Sequence, residues 1–236
     1  MRTIGIIGGM SWESSQLYYQ IINTAVRERL GGLHSADCLM YSFDFHEIEA
    51  LQHIGDWDAA AQRMVDAAQR LKRGGAACIV IATNTMHKLA PQVAEAVDIP
   101  LLHIADATAI AVQAAGIQRV ALLGTRYTME QDFYKGRLID RYGLDVLIPN
   151  EADREIIHRA IYDELCLGVI HEDSRAAYIR IITDLAAQGA QAVILGCTEI
   201  TLLIQPEHSP IPTFDTTRLH ALAAVDFALT PQPVGR

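Results

Sequence analysis

The sequence has little of several features that mark whole classes of protein. Its 236 residues carry a formal net charge of −9 and only five phenylalanines, whereas nucleic-acid binding uses basic surfaces and stacking rings. Its longest apolar runs, such as Cys78 to Ala82, cover a handful of residues, and a membrane span needs about 20. We therefore expect neither a nucleic acid nor a membrane as a partner.

Cysteines are few and widely separated. The four, Cys38, Cys78, Cys166 and Cys197, show no CxxC spacing, which disfavours both disulfide staples and zinc sites. The N-terminus leads directly into a strand-like stretch, without the apolar segment of a signal peptide. These features predict a cytoplasmic protein with reduced cysteines, in which any cysteine that has a functional role has it because of its reactivity. Cys38 and Cys78 fall in predicted strands and are expected in the core, while Cys166 is ambiguous.

What is present is apolar sequence arranged in alternating patterns. Half of the residues are hydrophobic, enough to form a core and to exclude a disordered chain. Short β-branched runs alternate with stretches of helical period, and this alternation predicts an α/β fold with parallel sheets. The helical stretches include Asp58–Arg73, Met129–Tyr142 and Ser174–Gln188. The predicted strands are Thr3–Ile7, Cys38–Phe45, Cys78–Ala82, Leu101–Ile104, Val120–Leu123, Val146–Ile148, Ala192–Leu195 and Thr213–Phe214.

An internal repeat divides the chain into similar halves. The segment Gly75–Thr85 aligns without a gap on Gly189–Glu199, and Ile4–Gly8 aligns on Val120–Gly124. We therefore predict two similar α/β domains: residues 1–102 plus 213–236, with Thr213–Phe214 returning to the first sheet, and residues 103–212. The alignment makes Thr83 and Cys197 equivalent, each just past the carboxyl end of a strand, where open α/β sheets place their ligand sites.

Those two strand ends carry the strongest candidate chemistry. A nucleophile-type side chain, Thr83 or Cys197, is followed by hydroxyl, amide or carboxyl groups. If each segment leads into a helix, its backbone N–H groups can hold a carboxylate, and the helix terminus can lower the pKa of Cys197 toward neutrality. A buried, inert cysteine at a strand end is the alternative, and the recurrence in both halves weighs against it.

Two other clusters give weaker signals. The turn Gly5–Gly9 lacks the GxGxxG spacing of a dinucleotide site, and it suits a small anion held by backbone N–H groups, with Ser11 as a helix cap; a plain tight turn is the alternative. Five polar residues in a loop-like stretch show no metal-ligand spacing, so no metal is expected. They are His34, His46, Glu47, Glu49 and His53.

The motifs resemble those of a known family. IGIIGGMSWES (Ile4–Ser14), ATNTMH (Ala82–His87) and GCTEI (Gly196–Ile200) strongly resemble the aspartate/glutamate racemases, and most closely the bacterial amino-acid racemase branch with threonine in place of the first catalytic cysteine. The likeness extends through HIADAT (His103–Thr108), LLGTRYTMEQDFY (Leu122–Tyr134) and ELCLG (Glu164–Gly168).

The resemblance implies two parallel-sheet α/β domains related by a pseudo-twofold repeat, with an amino-acid substrate in the cleft between them, usually in a homodimer. It implies racemisation without a cofactor, in which Thr83 and Cys197 flank the substrate α-carbon. The other residues that it assigns to substrate binding are Met10 through its backbone, Gln52 in a loop near the distal group, Asn84 and Thr85 at the carboxylate, and Thr125, Thr128, Thr198 and Glu199.

Two departures from the family pattern shape the expected chemistry. Thr83 replaces a cysteine, so it can donate or relay a proton, through His87 or water, but is a poor base beside Cys197. A lysine found in many members before the glycine that matches Gly168 is replaced by Cys166-Leu167, and Gln52 is neutral, which weakens the case for a dicarboxylic substrate. A single-cysteine decarboxylase of the same superfamily and an amino-acid-binding protein without catalysis are the alternatives.

Overall fold

The computed structural model describes residues 1–231, which fall into two compact units. The first unit comprises residues 1–103 and 220–231, and the second comprises residues 104–219. Each unit contains a four-stranded parallel sheet with helices, so the predicted α/β class is confirmed. Residues 232–236, which we assigned to the first domain, lie outside the described residues.

The first sheet has the strand order β2-β1-β3-β4. Its strands are β1 (Ile4–Gly8), β2 (Cys38–Ser42), β3 (Cys78–Ile81) and β4 (Leu101–Leu102). Alternate residues of β3 serve opposite faces: Ile79 and Ile81 pack in one hydrophobic cluster, and Cys78 and Val80 pack in another. The sheet is therefore covered on both faces, as parallel sheets usually are.

The second sheet has the order β6-β5-β7-β8. Its strands are β5 (Arg119–Gly124), β6 (Asp145–Leu147), β7 (Ala192–Gly196) and β8 (Thr213–Asp215). Within each unit the first strand pairs with the second and the third, and the third pairs with the fourth. The similarity of the halves seen in the sequence is thus a similarity of sheet topology, and all eight predicted strands are found.

One strand assignment is wrong. We expected Thr213–Phe214 to join the first sheet, but β8 pairs with β7 in the register Val193 to Thr213. The chain returns directly to the sheet it has just left, where the Val193 amide donates to the Pro212 carbonyl at 2.8 Å, as consecutive strands commonly do. The first sheet takes the two-residue β4 as its fourth strand instead.

Eleven α-helices connect these strands within the described residues. They are α1 (Trp12–Leu30), α2 (Phe45–Ile54), α3 (Trp57–Arg73), α4 (Ala90–Ala96), α5 (Ile104–Ala114), α6 (Arg126–Glu130), α7 (Lys135–Tyr142), α8 (Glu151–Asp163), α9 (Glu172–Ala187), α10 (Ile200–Leu203) and α11 (Thr216–Leu229). Short 3₁₀ helices occupy Thr85–Leu89, Leu165–Leu167 and Pro206–His208. Among the described helices, none is both long and apolar enough to cross a membrane.

The helical stretch Met129–Tyr142 is divided. The helix α6 begins earlier, after Thr125, and ends where Gln131 adopts an extended backbone conformation. Tyr134 then precedes α7, with its ring fully buried and its hydroxyl 3.5 Å from the Thr108 hydroxyl. Burial of this large side chain fixes a turn where a helical period alone predicts one continuous helix.

Candidate active site

The end of β3 forms a tight turn that carries Thr83. The Ala82 amide donates to the Ile7 carbonyl at 2.8 Å, and the Thr83 amide donates back to the Ile81 carbonyl at 2.9 Å. Thr83 is partly exposed, whereas Asn84 and Thr85 are buried. The 3₁₀ helix Thr85–Leu89 follows at once, so the turn presents Thr83 at the carboxyl edge of the first sheet.

His87 is bonded to this turn through the backbone of Thr83. Its Nδ1 lies 2.7 Å from the Thr83 carbonyl oxygen, and the side chain is 1% exposed. The sequence suggests His87 as a relay of protons to the Thr83 hydroxyl, whereas this hydrogen bond reaches the carbonyl oxygen of the same residue.

The end of β7 carries Cys197 in a different electrostatic setting. Its thiol donates to Glu199 Oε2 at 3.0 Å. Burial raises the pKa of the thiol well above its usual value, and the nearby Glu199 carboxylate and Cys166 raise it further. The expectation of a lowered pKa is wrong, because α10 has only four residues and begins three residues after the cysteine, so its dipole cannot offset burial and a neighbouring charge.

Thr198 is held by the first turn of α11. The Thr217 hydroxyl donates to the Thr198 hydroxyl at 3.0 Å, and the Thr216 hydroxyl donates to the Leu195 carbonyl at 2.9 Å. Asp215 caps the helix by accepting from the Thr217 amide at 2.9 Å, and burial raises the pKa of its carboxyl. We did not predict this support from the sequence, although an Asp-Thr-Thr run after a strand is a typical helix start.

Thr125 and Thr128 lie together beside the same strand end. Thr125 caps α6, its hydroxyl lies 3.2 Å from that of Thr128, and both side chains are buried. A Cβ added at Gly196 would lie 3.3 Å from the Thr128 methyl group and 2.7 Å from the Leu123 carbonyl oxygen. The second unit therefore brings its predicted site residues together around Gly196.

Cys166, whose environment is ambiguous from the sequence, lies near Cys197. It occupies the 3₁₀ helix Leu165–Leu167 and packs on the same hydrophobic cluster as Cys197. Tyr178 is fully buried, and its hydroxyl donates to the Ile157 carbonyl at 3.1 Å. Burial raises the pKa of this tyrosine, and the charges of Cys197, Glu164 and Cys166 raise it further. Sequence reasoning missed this tyrosine, since nothing in the helical pattern of α9 distinguishes it from an ordinary core residue.

The other two cysteines differ from each other. Cys78 is fully buried in β3, as predicted, and burial raises its pKa to about 11. Cys38 is only partly buried on β2.

In the glycine turn after β1, the Gly9 amide already has a hydrogen-bond acceptor within the protein. Gly9, at φ 81°, donates its amide to the Ser15 hydroxyl at 2.7 Å, so this amide is not available to an anion. Ser11 caps α1 as predicted, accepting from the Ser14 amide at 3.3 Å. Met10 lies between them and is buried in the first unit's core.

Gln52 lies on a helix, and its predicted position in a loop is wrong. It is buried on α2, and its side-chain nitrogen lies 3.0 Å from the Met86 sulfur. Because Met86 follows Thr85, this contact joins α2 to the turn that carries Thr83. Four of the polar residues that we expected in a loop, His46, Glu47, Glu49 and His53, also lie on α2. Within residues 1–231, no three or more His, Cys, Asp or Glu side chains are arranged so that they could hold a metal ion.

The fold and these strand ends define a class: two α/β units of like topology, each presenting a hydroxyl or thiol just past its third strand. Residues 7–224 match the Asp/Glu/Hydantoin racemase family, and the chain belongs to that family. The structure is similar to that of a Yersinia pestis protein whose assignment as an Asp/Glu racemase is provisional, with 56% identity, a TM-score of 0.92, and coverage of 98% of this chain and 100% of the other.

Two further relatives agree with this assignment. An aspartate racemase homologue from Pyrococcus horikoshii OT3 is 33% identical with a TM-score of 0.83, covering 97% of this chain and 99% of the other. The broad specificity amino-acid racemase RacX of Bacillus subtilis (strain 168) is 22% identical over 97% of this chain and 99% of its own length.

Proposed function

We propose that this protein racemises free amino acids without a cofactor, with Cys197 and Thr83 acting on opposite faces of the substrate α-carbon. The observation that best supports the proposal is the hydrogen bond from the Cys197 thiol to Glu199, 3.0 Å long. A cysteine with a raised pKa is a thiol at neutral pH and needs an acceptor for its proton before it can act as a base. Glu199 supplies that acceptor.

The proposed reaction starts from the L-enantiomer. The Cys197 thiol passes its proton to Glu199, and the thiolate removes the α-proton. Asn84, Thr85 and Thr198 donate to the substrate carboxylate and stabilise the charge that develops on it. The Thr83 hydroxyl then protonates the opposite face of the carbon to give the D-enantiomer and regains its own proton from solvent. Glu199 releases to solvent the proton that it accepted, and Cys197, which now carries the α-proton, is again a thiol that donates to the Glu199 carboxylate.

The remaining site residues are assigned to the substrate's surroundings. Met10 contributes through its backbone, Thr125 and Thr128 act from the second unit, and Gln52 is nearest the distal group of the substrate. Gln52 is uncharged, and no lysine stands at 166 or 167. We therefore propose that the substrate is not restricted to dicarboxylic amino acids, and the relative named for broad specificity is consistent with that range.

In the proposed reaction, Thr83 limits the rate of racemisation but cannot make it run from one enantiomer only. Because the equilibrium constant of racemisation is one, kcat/KM must be equal from the two enantiomers. A hydroxyl is a much weaker acid than a thiol, so inversion is slow in both directions. Cys197 can meanwhile return solvent hydrogen to the L-face, and exchange of the L-enantiomer's α-proton therefore outpaces inversion.

Proton NMR in heavy water tests the proposal, with L-aspartate, L-glutamate, L-lysine and L-leucine as separate probes. The wild-type protein is expected to remove the α-proton signal of at least one probe faster than it lowers optical purity. Cys197→Ala should abolish both changes, whereas Thr83→Ala should abolish inversion and retain exchange. Cys38→Ala, at a partly buried cysteine on β2, serves as the control.

Three outcomes would contradict the proposal. A wild-type protein that changes neither the α-proton signal nor the optical purity of any probe is not a racemase of these amino acids. Binding of a probe without exchange would indicate a binding protein. Release of carbon dioxide from an arylmalonate would indicate the decarboxylase chemistry of related proteins.

We further propose that the protein is a cytoplasmic homodimer, as the family resemblance implies. Light scattering coupled to size-exclusion chromatography should give twice the chain mass of 25.9 kDa. A single-chain mass would contradict the homodimer.

A further inference from the structure

Three buried histidines of the first unit form a cluster, one of which, His87, bonds the turn that carries Thr83. His87, His103 and His220 are 1%, 8% and 0% exposed. The ring centroids of His87 and His103 are 4.6 Å apart, and those of His87 and His220 are 5.5 Å apart. The imidazole of His87 therefore packs against both of the others.

The hydrogen-bond partners define which ring nitrogens carry protons. The Thr83 carbonyl can only accept, so His87 Nδ1 must donate to it across 2.7 Å. The Leu102 carbonyl likewise requires a donor at His220 Nε2, 2.7 Å away. His220 Nδ1 lies 2.9 Å from the Tyr18 hydroxyl, which donates to it when His220 is neutral. Helix α1 and strand β4 thus orient His220, which packs against His87.

The local backbone explains why His87 takes this position. In an α-helical turn the Thr83 carbonyl would accept from the His87 amide. Here the turn is 3₁₀, and that amide donates to the Asn84 carbonyl at 3.0 Å. The side chain of His87 bonds the Thr83 carbonyl instead, closing the turn immediately beside the Thr83 side chain.

We infer that His87 is a positioning residue for Thr83, holding its carbonyl so that the hydroxyl stays in the orientation from which it protonates the substrate, while His220 keeps the His87 ring in place. The inference rests on the function proposed above. It differs from a proton relay because it requires only the Nδ1–H donor and no titration of the imidazole. Exchange at Cys197 does not use Thr83, so loss of positioning should affect inversion alone.

The experiment compares two substitutions with different donors. Asparagine places an amide N–H close to where His87 Nδ1–H lies, and leucine offers no donor. For the probes that the wild type turns over in heavy water, His87→Leu should lower the ratio of inversion to α-proton exchange by about tenfold, mainly through kcat. His87→Asn should keep the ratio within about threefold of wild type, as rescue of a lost donor. Val26→Ala, a core change on α1 in the same unit, should leave the ratio unchanged.

Each other outcome has a definite meaning. If Asn and Leu lower the ratio equally, an N–H donor at position 87 is not sufficient and the positioning role is wrong. If neither variant lowers it, the Thr83 carbonyl bond has no part in inversion and the inference fails. A ratio that also falls in Val26→Ala would show a general loss of stability and would overturn the specific role. A wild type with neither exchange nor inversion would instead refute the proposed function.

Discussion

The carboxyl ends of β3 and β7 occupy the same place in sheets of the same strand order, yet their side chains create opposite environments. At β3, Thr83 is followed by a 3₁₀ turn, and its carbonyl accepts from an imidazole. At β7, Cys197 donates to the carboxylate of Glu199, with Cys166 and Tyr178 close by. One end has a hydroxyl beside a donor, and the other has a thiol beside an acceptor.

The difference separates what a repeated fold supplies from what its side chains supply. The repeat sets a backbone position, the first residues past the third strand, where a ligand site is expected in an open α/β sheet. Neighbouring side chains set the acid–base character at each position. In the proposed reaction the second unit supplies the base and the first unit supplies the proton, so the two ends are equivalent in topology and distinct in chemistry.

The largest effect is expected from Glu199→Gln. Loss of the proton acceptor should lower α-proton exchange by about 10²-fold, the scale of general-base assistance. Removing the negative charge also removes one cause of the raised pKa of Cys197, so the thiolate should form at lower pH. Iodoacetamide labelling of Cys197, followed by mass spectrometry in a Cys166→Ser background, should therefore reach half-maximal rate at a lower pH.

The matched control for this change is Glu207→Gln, at an exposed glutamate. It should alter neither the exchange rate nor the labelling profile. An unchanged labelling profile in Glu199→Gln would mean that the carboxylate does not set the state of the thiol, and the contrast between the two strand ends would lose its basis.

A smaller effect is expected from Thr83→Cys, which makes the strand ends alike. A thiol is a stronger acid than a hydroxyl, so racemisation should rise by about tenfold or more. The rise in kcat/KM must be the same from the L- and D-enantiomers, as measured by polarimetry. Thr83→Ser, which keeps a hydroxyl, should stay near wild type. No change with either enantiomer in Thr83→Cys would show that position 83 does not deliver the proton.

The smallest effect concerns the caps of the helices that follow β1 and β5. Ser11 accepts from the Ser14 amide and Thr125 from the Thr128 amide, each at 3.3 Å. Ser11→Ala and Thr125→Ala should each lower the free energy of unfolding by about 1 kcal/mol, measured in urea. Only Thr125→Ala should also raise KM, because Thr125 is assigned to the substrate.

Ser35→Ala, at an exposed serine, should leave both the free energy of unfolding and KM unchanged. If the Ser11 and Thr125 variants raise KM equally, the effect comes from loss of a helix cap and the assignment of Thr125 to substrate binding is wrong.

The sequence predicted much of the fold because its signals are local. Alternating apolar runs marked all eight strands, and the aligned halves predicted two units with related sheets. The assignment of Thr213–Phe214 failed because pairing of β8 with β7 is a long-range choice that strand composition does not encode. The helix predicted over Met129–Tyr142 is interrupted before Tyr134, whose ring is buried in a hydrophobic cluster formed largely by residues distant in sequence.

In the candidate site, too, local features were predicted from the sequence and long-range contacts were not. Residue order alone placed Thr83 and Cys197 at equivalent strand ends and predicted the Ser11 cap, because the internal repeat and the cap pattern can both be read from the sequence. The loop position of Gln52 was implied by the family resemblance alone, and in this structure the residue lies on α2. The supporting contacts from Thr217, Tyr178 and His220 come from distant parts of the sequence, so no local pattern indicated them.

The sequence by itself determined where two candidate side chains, Thr83 and Cys197, stand on two similar sheets, since strand patterns and the internal repeat can be read directly from the order of the residues. Only the tertiary structure decided their chemical state. Burial and the facing Glu199 carboxylate raise the pKa of the Cys197 thiol, against the expectation from its place before a helix. Solvent exclusion and the charges that surround a group depend on the whole fold, and the pKa of a group follows from them.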